Sequence, residues 1–425
     1  MKIAIVGAGI SGLATAWQLK QRHEVTLFEA GDYIGGHTHT VDIDLAGTRF
    51  PVDTGFLVFN HRTYPNLTAL FRELKVDTVA SDMSFAVSMV EPDLEWAGSS
   101  LATLFAQKRN LARTGFWRML QDTLRFNRET SGALPEVTLG DYLTRERYSA
   151  EFRDWYLLPM AAAIWSCPTQ AMLAYPLTTF VRFARNHGLL QVFDRPQWQT
   201  VKGGGRQYVE RIIADLDDVR LATPVKSVLR DADGVWLGLP GGECERFDEV
   251  VLACHSDQAL ALLGSAATPA ERRILGAIRY QPNRAVLHTD AALLPRDERV
   301  WSAWNYMAGE RSGGEQPVSV SYLINRLQPL PTQTPVIVSL NPHVEPDPAK
   351  VIGDWDYDHP LFDQAAIGAQ AQLDAIQGIE RLWFCGAWGG YGFHEDGLNS
   401  ALALAKRLGC RAPWQDSTER IESAA

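Results

Sequence analysis

The stretch that decides the fold is "MKIAIVGAGISGLATAWQL", Met1 to Leu19. Met1 to Val6 is an apolar run that stops at a glycine, the pattern of a strand buried on both faces, and helical apolar spacing follows from Ser11 to Gln21. Between them lie Gly7, Gly9 and Gly12, spaced G-x-G-x-x-G. The first glycine permits a tight turn, the second lets a pyrophosphate approach the backbone, and the third lets helix pack on strand. Free N–H groups and the positive helix end attract phosphate, and Ser11 stands in that same turn. Strand character resumes in "EVTLFEA" and ends at Glu29, where a carboxylate accepts from a ribose 2'-hydroxyl and disfavours a 2'-phosphate. A lone glycine triad is often an ordinary turn. The strand–turn–helix context and Glu29 decide for a βαβ unit that binds a dinucleotide.

Working outward, the chain of 425 residues is 46% hydrophobic with 34 Gly, enough for two cores. Lys and Arg number 40 against 50 Asp and Glu, a formal charge of -10, which disfavours nucleic acid as a partner. Five cysteines, an odd number with no C-x-x-C pair, suit reduced, buried thiols in a cytoplasmic setting better than disulfides or structural zinc. The N-terminal run reads as a strand and not a signal sequence. No stretch approaches the roughly 20 apolar residues that a membrane span needs.

From Asn66 to about Trp198 the texture changes to helical patterns rich in Trp, Phe and Arg, read as a separate, mainly helical insertion. Gly203 to Leu216 reads as a helix entered through three glycines, and Val225 to Leu239 as a hairpin around "DADG". Strands follow at "EVVLACH", "RAVLHTD", "PVSVSYLI" and "PVIVSLN", and "RLWFCGA" precedes a closing helix. The expected division assigns 1–65, 200–270 and 380–412 to a nucleotide domain and 66–199 and 271–379 to a substrate domain, with 413–425 as a tail.

Downstream of Glu29, Gly35 and Gly36 resemble the second glycine pair of flavoproteins in the amine oxidase and phytoene desaturase superfamily. The resemblance implies an α/β fold: a Rossmann-like FAD-binding domain of glutathione-reductase type, with an inserted α+β substrate domain as in amine oxidases. FAD is then the cofactor. Where the superfamily often has an arginine after the pair, this chain has His37. His37 and His39 lack a third ligand nearby, so no metal site is expected.

The superfamily's final strand and helix bring a glycine turn to the flavin. Here Gly386 opens that turn, and Gly397, Leu398 and Asn399 are expected to start the helix, whose positive end stabilises a reduced ring. The cofactor set thus comprises Gly7, Gly9, Ser11, Gly12, Glu29, Gly35, Gly36, His37, Val225, Gly386, Gly397 and Leu398. The covalent members attach FAD through a cysteine in this turn. Here the turn reads Trp388, Gly389, Gly390, Tyr391, which implies noncovalent FAD. Trp388 and Tyr391 fall where the superfamily sets aromatics against the flavin, and Trp165, Ser166 and Cys167 are expected in the substrate cavity. His394 is a candidate to position or protonate substrate. Glu395 is either an acid–base group or, with Asp396, a helix cap.

The strings "DTGFLVFN", "TYPNL", "SDMSFAVS", "IWSCP", "WSAWN" and "WFCGAWGGYGFHEDGL" resemble the FAD-dependent oxidase-like N-terminal domain of plant cyclopropane fatty acid synthases and its free-standing bacterial relatives. That resemblance implies hydride abstraction from an unsaturated or modified, methyl-branched or cyclopropane-related, fatty acyl chain, of desaturase or oxidase type. The alternatives are a redox-neutral fatty acid isomerase, an amine oxidase, and a non-catalytic FAD-binding accessory to a lipid methyltransferase. Lys108 to Arg128 interleaves basic and aromatic residues, so either it is an interfacial helix that docks on the inner face of a membrane, or its aromatics are buried and its arginines paired.

Overall fold

The computed structural model describes residues 1–165, 169–191, 195–310 and 316–415. The opening stretch forms β1 (Lys2–Val6), α1 (Ile10–Leu19) and β2 (Glu24–Phe28). Strands β3 (Asp218–Arg220), β4 (Glu249–Leu252) and β5 (Leu382–Phe384) complete a parallel sheet in the order β3-β2-β1-β4-β5. β1 lies at its centre, with Ile3 opposite Val25 on one side and Glu249 on the other. The last helix, α2 (His394–Arg407), packs on α1, all ten residues of which are buried. A helix with so few polar residues, and no charged one, is stable when enclosed in this way. β3 is three residues, Asp-Val-Arg, too short and polar to show a strand pattern in the sequence.

The second layer is a seven-stranded sheet in the order Val351–Leu361, Arg279–His288, Ile337–Leu340, Val318–Leu323, Trp304–Ala308, Phe85–Met89 and Leu94–Ala97. Neighbours run antiparallel, except that Trp304–Ala308 runs parallel to Phe85–Met89. The insertion expected from Asn66 to about Trp198 is mainly helical but not separate. Two strands between Asn66 and Trp198 enter the sheet built by residues 279–361, and Thr78–Ser81 pairs with Trp198–Val201. These runs of four or five residues are too short to stand out among the longer helical patterns around them.

The helix Thr114–Glu129 carries the basic, aromatic segment. Phe116 and Phe126 are core residues, while Arg109, Arg118 and Arg125 pair with Asp93, Glu151 and Glu129. Trp117 and Leu124, one heptad apart on the outer face, stay exposed. Among the described residues no helix is long and apolar enough to cross a membrane. Trp414, expected in the tail, instead stacks on Trp17 at 6.3 Å, and its indole N–H donates to Asn66 Oδ1 at 2.8 Å.

Candidate functional site

A cavity of about 750 Å³ runs from the glycine turn after β1 into the space beneath the seven-stranded sheet. Its first half has the shape of a dinucleotide cradle. Gly7 has φ +103°, the left-handed region that favours glycine. A Cβ on Gly9 would meet nothing within 4 Å, so this position faces open space, whereas a Cβ on Gly12 would lie 1.9 Å from the Gly7 carbonyl oxygen. The division of labour expected from the motif is therefore built into the backbone. Gly35 and Gly36 fold over this turn: the Gly35 N–H donates to the Ala8 carbonyl at 3.0 Å, and Gly35 bridges to Gly9.

Glu29, at the end of β2, accepts from the N–H groups of Ala8 and Gly31, both at 2.8 Å, which fixes its carboxylate at the cavity wall. Ser11 lines the cavity, and its hydroxyl donates to the Gly397 carbonyl at 3.0 Å, tying α1 to α2. Val225 and Gly386 also line it. His37 Nε2 and His255 Nδ1 are buried without hydrogen-bond partners. A glycine cradle, a carboxylate fixed at the cavity wall and orphaned polar atoms fit FAD. Gly397 and Leu398 do not line the cavity, a correction to the expected helix start. α2 begins a turn earlier, at His394, so the Gly397 N–H is already spent on the Phe393 carbonyl and Leu398 is wholly buried.

The turn before α2 is braced from behind. Gln370 donates to the carbonyls of Trp388 at 2.8 Å and Gly390 at 2.7 Å, and the Trp388 indole, buried at the cavity wall, donates to the Cys254 carbonyl at 3.1 Å. Tyr391 lines the cavity beside Phe183, ring centroids 5.6 Å apart. His394 also lines it, with Nε2 2.8 Å from Thr38 Oγ1 and 3.3 Å from the Tyr208 hydroxyl. The protein packed around His394 pushes its pKa down to about 3, so the ring is neutral and can offer hydrogen bonds but no charge. Glu395 is turned away from the cavity. Its carboxylate accepts from the N–H groups of Asn66 and Leu67, both at 2.9 Å, and caps the helix Pro65–Glu73. Asp396 accepts from the Phe393 N–H at 3.0 Å and caps α2.

Three imidazoles meet at the middle of the cavity: His37 lies 5.2 Å from His359 and 6.1 Å from His255, ring to ring, with Tyr357 at 5.2 Å. Burial lowers the pKa of all three histidines. Among the described residues no cluster of His, Cys, Asp or Glu has the geometry to hold a metal. Beyond them the wall is apolar and aromatic, with Met83, Ile164, Trp165, Phe183, Leu189 and Trp304. No Lys or Arg stands among the described lining residues. Ser166 and Cys167 lie outside the described residues.

Sequence reasoning missed His255, Tyr357 and His359, and the Phe56, Thr38 and Tyr208 set around His394. A signal existed for three of them. His255 follows β4 at the carboxyl end of a parallel strand, where ligands bind, and alternation in "DWDYDHP" puts Tyr357 and His359 on one face.

Three comparisons bear on this arrangement. A family model described as flavin containing amine oxidoreductase matches residues 10–287. A protein of Mycobacterium tuberculosis described as a flavin-containing monoamine oxidase, AofH, is 26% identical over 336 residues, 75% of this chain and 70% of that one. The carotenoid phi-ring synthase of Chlorobaculum tepidum is 26% identical over 164 residues, 36% of this chain, and the match spans only 23% of the synthase's length. The solved structure of a CLA-producing fatty acid isomerase from P. acnes has the same fold, with a TM-score of 0.66 over 95% of this chain and 98% of that one at 14% identity.

Proposed function

This chain belongs to the flavin containing amine oxidoreductase family and is an FAD-dependent oxidoreductase, and from that premise we propose that it abstracts hydride from an unsaturated or modified fatty acyl chain. The observation that carries the proposal is the second half of the cavity. Its wall of Met83, Ile164, Trp165, Phe183, Leu189 and Trp304 suits an apolar chain. On the edge strand, alternation turns Tyr357 and His359 inward, while Asp356, exposed, and Asp358, half-buried, also border the cavity, so comparison of alkylamines with acyl chains is the direct discriminator.

FAD supplies the hydride acceptor. The chain's own residues do the remainder. The glycine turn and the N-terminus of α1 hold the phosphates, and Glu29 the ribose. The aromatic wall excludes water from the reacting carbon, and the neutral His394, held by Thr38 and Tyr208, orients the adjacent substrate segment. A carbon beside a double bond gives up hydride because the charge left behind is delocalised. The motif resemblance to the oxidase-like domain of cyclopropane fatty acid synthases supports a methyl-branched or cyclopropane-related chain as substrate and a lipid methyltransferase as partner. The exposed Trp117 and Leu124 support peripheral membrane contact.

Anaerobic mixing of the oxidised protein with unsaturated fatty acids, followed by flavin absorbance, tests the proposal. Bleaching by acyl chains and not by alkylamines is the expected result, and bleaching by amines alone overturns it. Turnover without net consumption of oxidant assigns double-bond isomerisation in place of desaturation.

A further inference from the structure

The helix Leu177–Asn186 separates two spaces. Its inner face sends Phe183 to the cavity. Its outer face borders a smaller pocket of about 300 Å³, lined by Thr178, Val181, Arg182, Arg185 and Asn186 together with Leu134. Arg118, Arg153 and Arg206 hold Glu151, Asp154 and Asp42. By contrast, neither Arg182 nor Arg185 has a carboxylate partner among the described residues. Two exposed guanidiniums three residues apart put a local patch of positive charge at this pocket, in a chain with a formal charge of -10.

This pocket is coupled to the main cavity through one side chain. Tyr391 lines the cavity with its ring 5.6 Å from Phe183, and the nearby Arg182 guanidinium opposes the rise that burial gives the Tyr391 phenol's pKa. The polar end of Tyr391 thus marks the place where the apolar wall gives way to the arginine pair. We propose that Arg182 and Arg185 form the site for the anionic head of an amphiphilic substrate, with its chain passing Tyr391 and Phe183 into the aromatic cavity. Guanidiniums suit this task because they stay charged and bind carboxylate or phosphate through two parallel N–H groups. The inference rests on the acyl reading and specifies how such a chain is oriented: head at the arginines, tail toward the histidine cluster.

The test is equilibrium binding to the oxidised, FAD-loaded protein, read from perturbation of the flavin spectrum, with oleate, oleyl phosphate and oleyl alcohol as probes. Wild type is expected to bind an anionic probe more tightly than the alcohol by about ten- to hundredfold, the scale of a charge-assisted hydrogen bond. The Arg185→Gln and Arg182→Gln/Arg185→Gln variants are expected to lose that preference while keeping the alcohol's affinity and the wild-type FAD content. Preference for oleate over oleyl phosphate identifies a free carboxylate as the head, and the reverse order a phosphate. Equal binding of acid and alcohol by wild type, or equal weakening of both in Arg185→Gln, overturns the inference and leaves the acyl reading standing. Failure of all three probes to bind overturns both.

Discussion

His394 lies flat against Phe56, ring centroids 3.8 Å apart and planes 19° from parallel. Stacking fixes the plane of the ring, and Thr38 and Tyr208 fix its rotation. His394→Gln removes the stack while keeping a polar group, and substrate-dependent flavin reduction should slow by about tenfold, the worth of one hydrogen bond. FAD content should be unchanged. Since the ring's pKa is pushed down to about 3, the wild-type pH–rate profile should show no inflection from this group near neutrality. An inflection near neutrality that disappears in His394→Gln overturns the neutral ring, and an unchanged reduction rate in the variant removes His394 from the site.

Gly9 and Gly12 should respond oppositely to alanine. A Cβ at Gly12 meets a backbone oxygen at 1.9 Å, so Gly12→Ala should destabilise the fold itself. A Cβ at Gly9 projects into open space, so Gly9→Ala should keep the thermal midpoint of the FAD-free protein and weaken FAD binding. Thermal unfolding and FAD titration of both variants check the pair. A destabilised Gly9→Ala protein contradicts the cradle.

Glu29→Ala should lower FAD affinity by about one to two decades, from loss of a charge-assisted hydrogen bond of ~1.5–3 kcal/mol. Glu29 also clamps the N–H groups of Ala8 and Gly31, so the turn itself loosens. Glu29→Gln, which retains an acceptor, should fall between wild type and Glu29→Ala in FAD titrations. Undiminished occupancy of Glu29→Ala on dilution rules out the ribose role.

Acid should weaken the protein through its enclosed histidines. The pKa values of His187, His359 and His394 are pushed down by burial, to about 4, 4 and 3. Below about pH 6.5 the unfolded chain takes up protons at these rings while the folded protein does not. Stability is therefore fully present above about pH 6.5 and falls as the pH drops toward 4. Thermal midpoints measured from neutral to mildly acidic pH should show this slope, and His359→Gln should flatten it. An identical slope in that variant excludes His359 as a contributor.

Acid precipitation should release the yellow colour, with one noncovalent FAD per chain. Cys254 lines the cavity, but its thiol, like that of Cys385, is pushed up to about 12 by burial, and a protonated thiol is a poor nucleophile. Colour retained in the pellet shows a covalent bond.

The sequence made the βαβ unit, the second glycine pair and the closing turn legible because each depends on local backbone geometry that only glycine tolerates. His394 and Tyr391 could be found for the same reason, since they adjoin such a turn. Glu395 illustrates the limit: its partners, Asn66 and Leu67, are more than 300 positions away in the chain, and no local pattern shows that a carboxylate will be consumed as a helix cap. The histidine cluster was hidden likewise, because His37, His255 and His359 come from three separate segments that only the two sheets bring together. The strands at Phe85–Met89 and Leu94–Ala97 were lost among helices because so few residues carry no decisive period.

The order of strands in the parallel sheet sets a timetable for synthesis. β1 is made before either neighbour, yet it lies between β2 and β4, and β4 begins only at Glu249. Until then one whole edge of the strand that ends in the phosphate turn stays open, and such distant pairing is slow. The wall opposite that turn comes later still, from Gly386 to His394, and Glu395 on α2 fastens the helix that starts at Pro65. A nascent chain therefore cannot enclose the flavin. Cofactor capture waits until the segment from Gly386 to Glu395 has been made, and a scarcity of FAD at that moment leaves a polypeptide with an open central cleft for proteases to find.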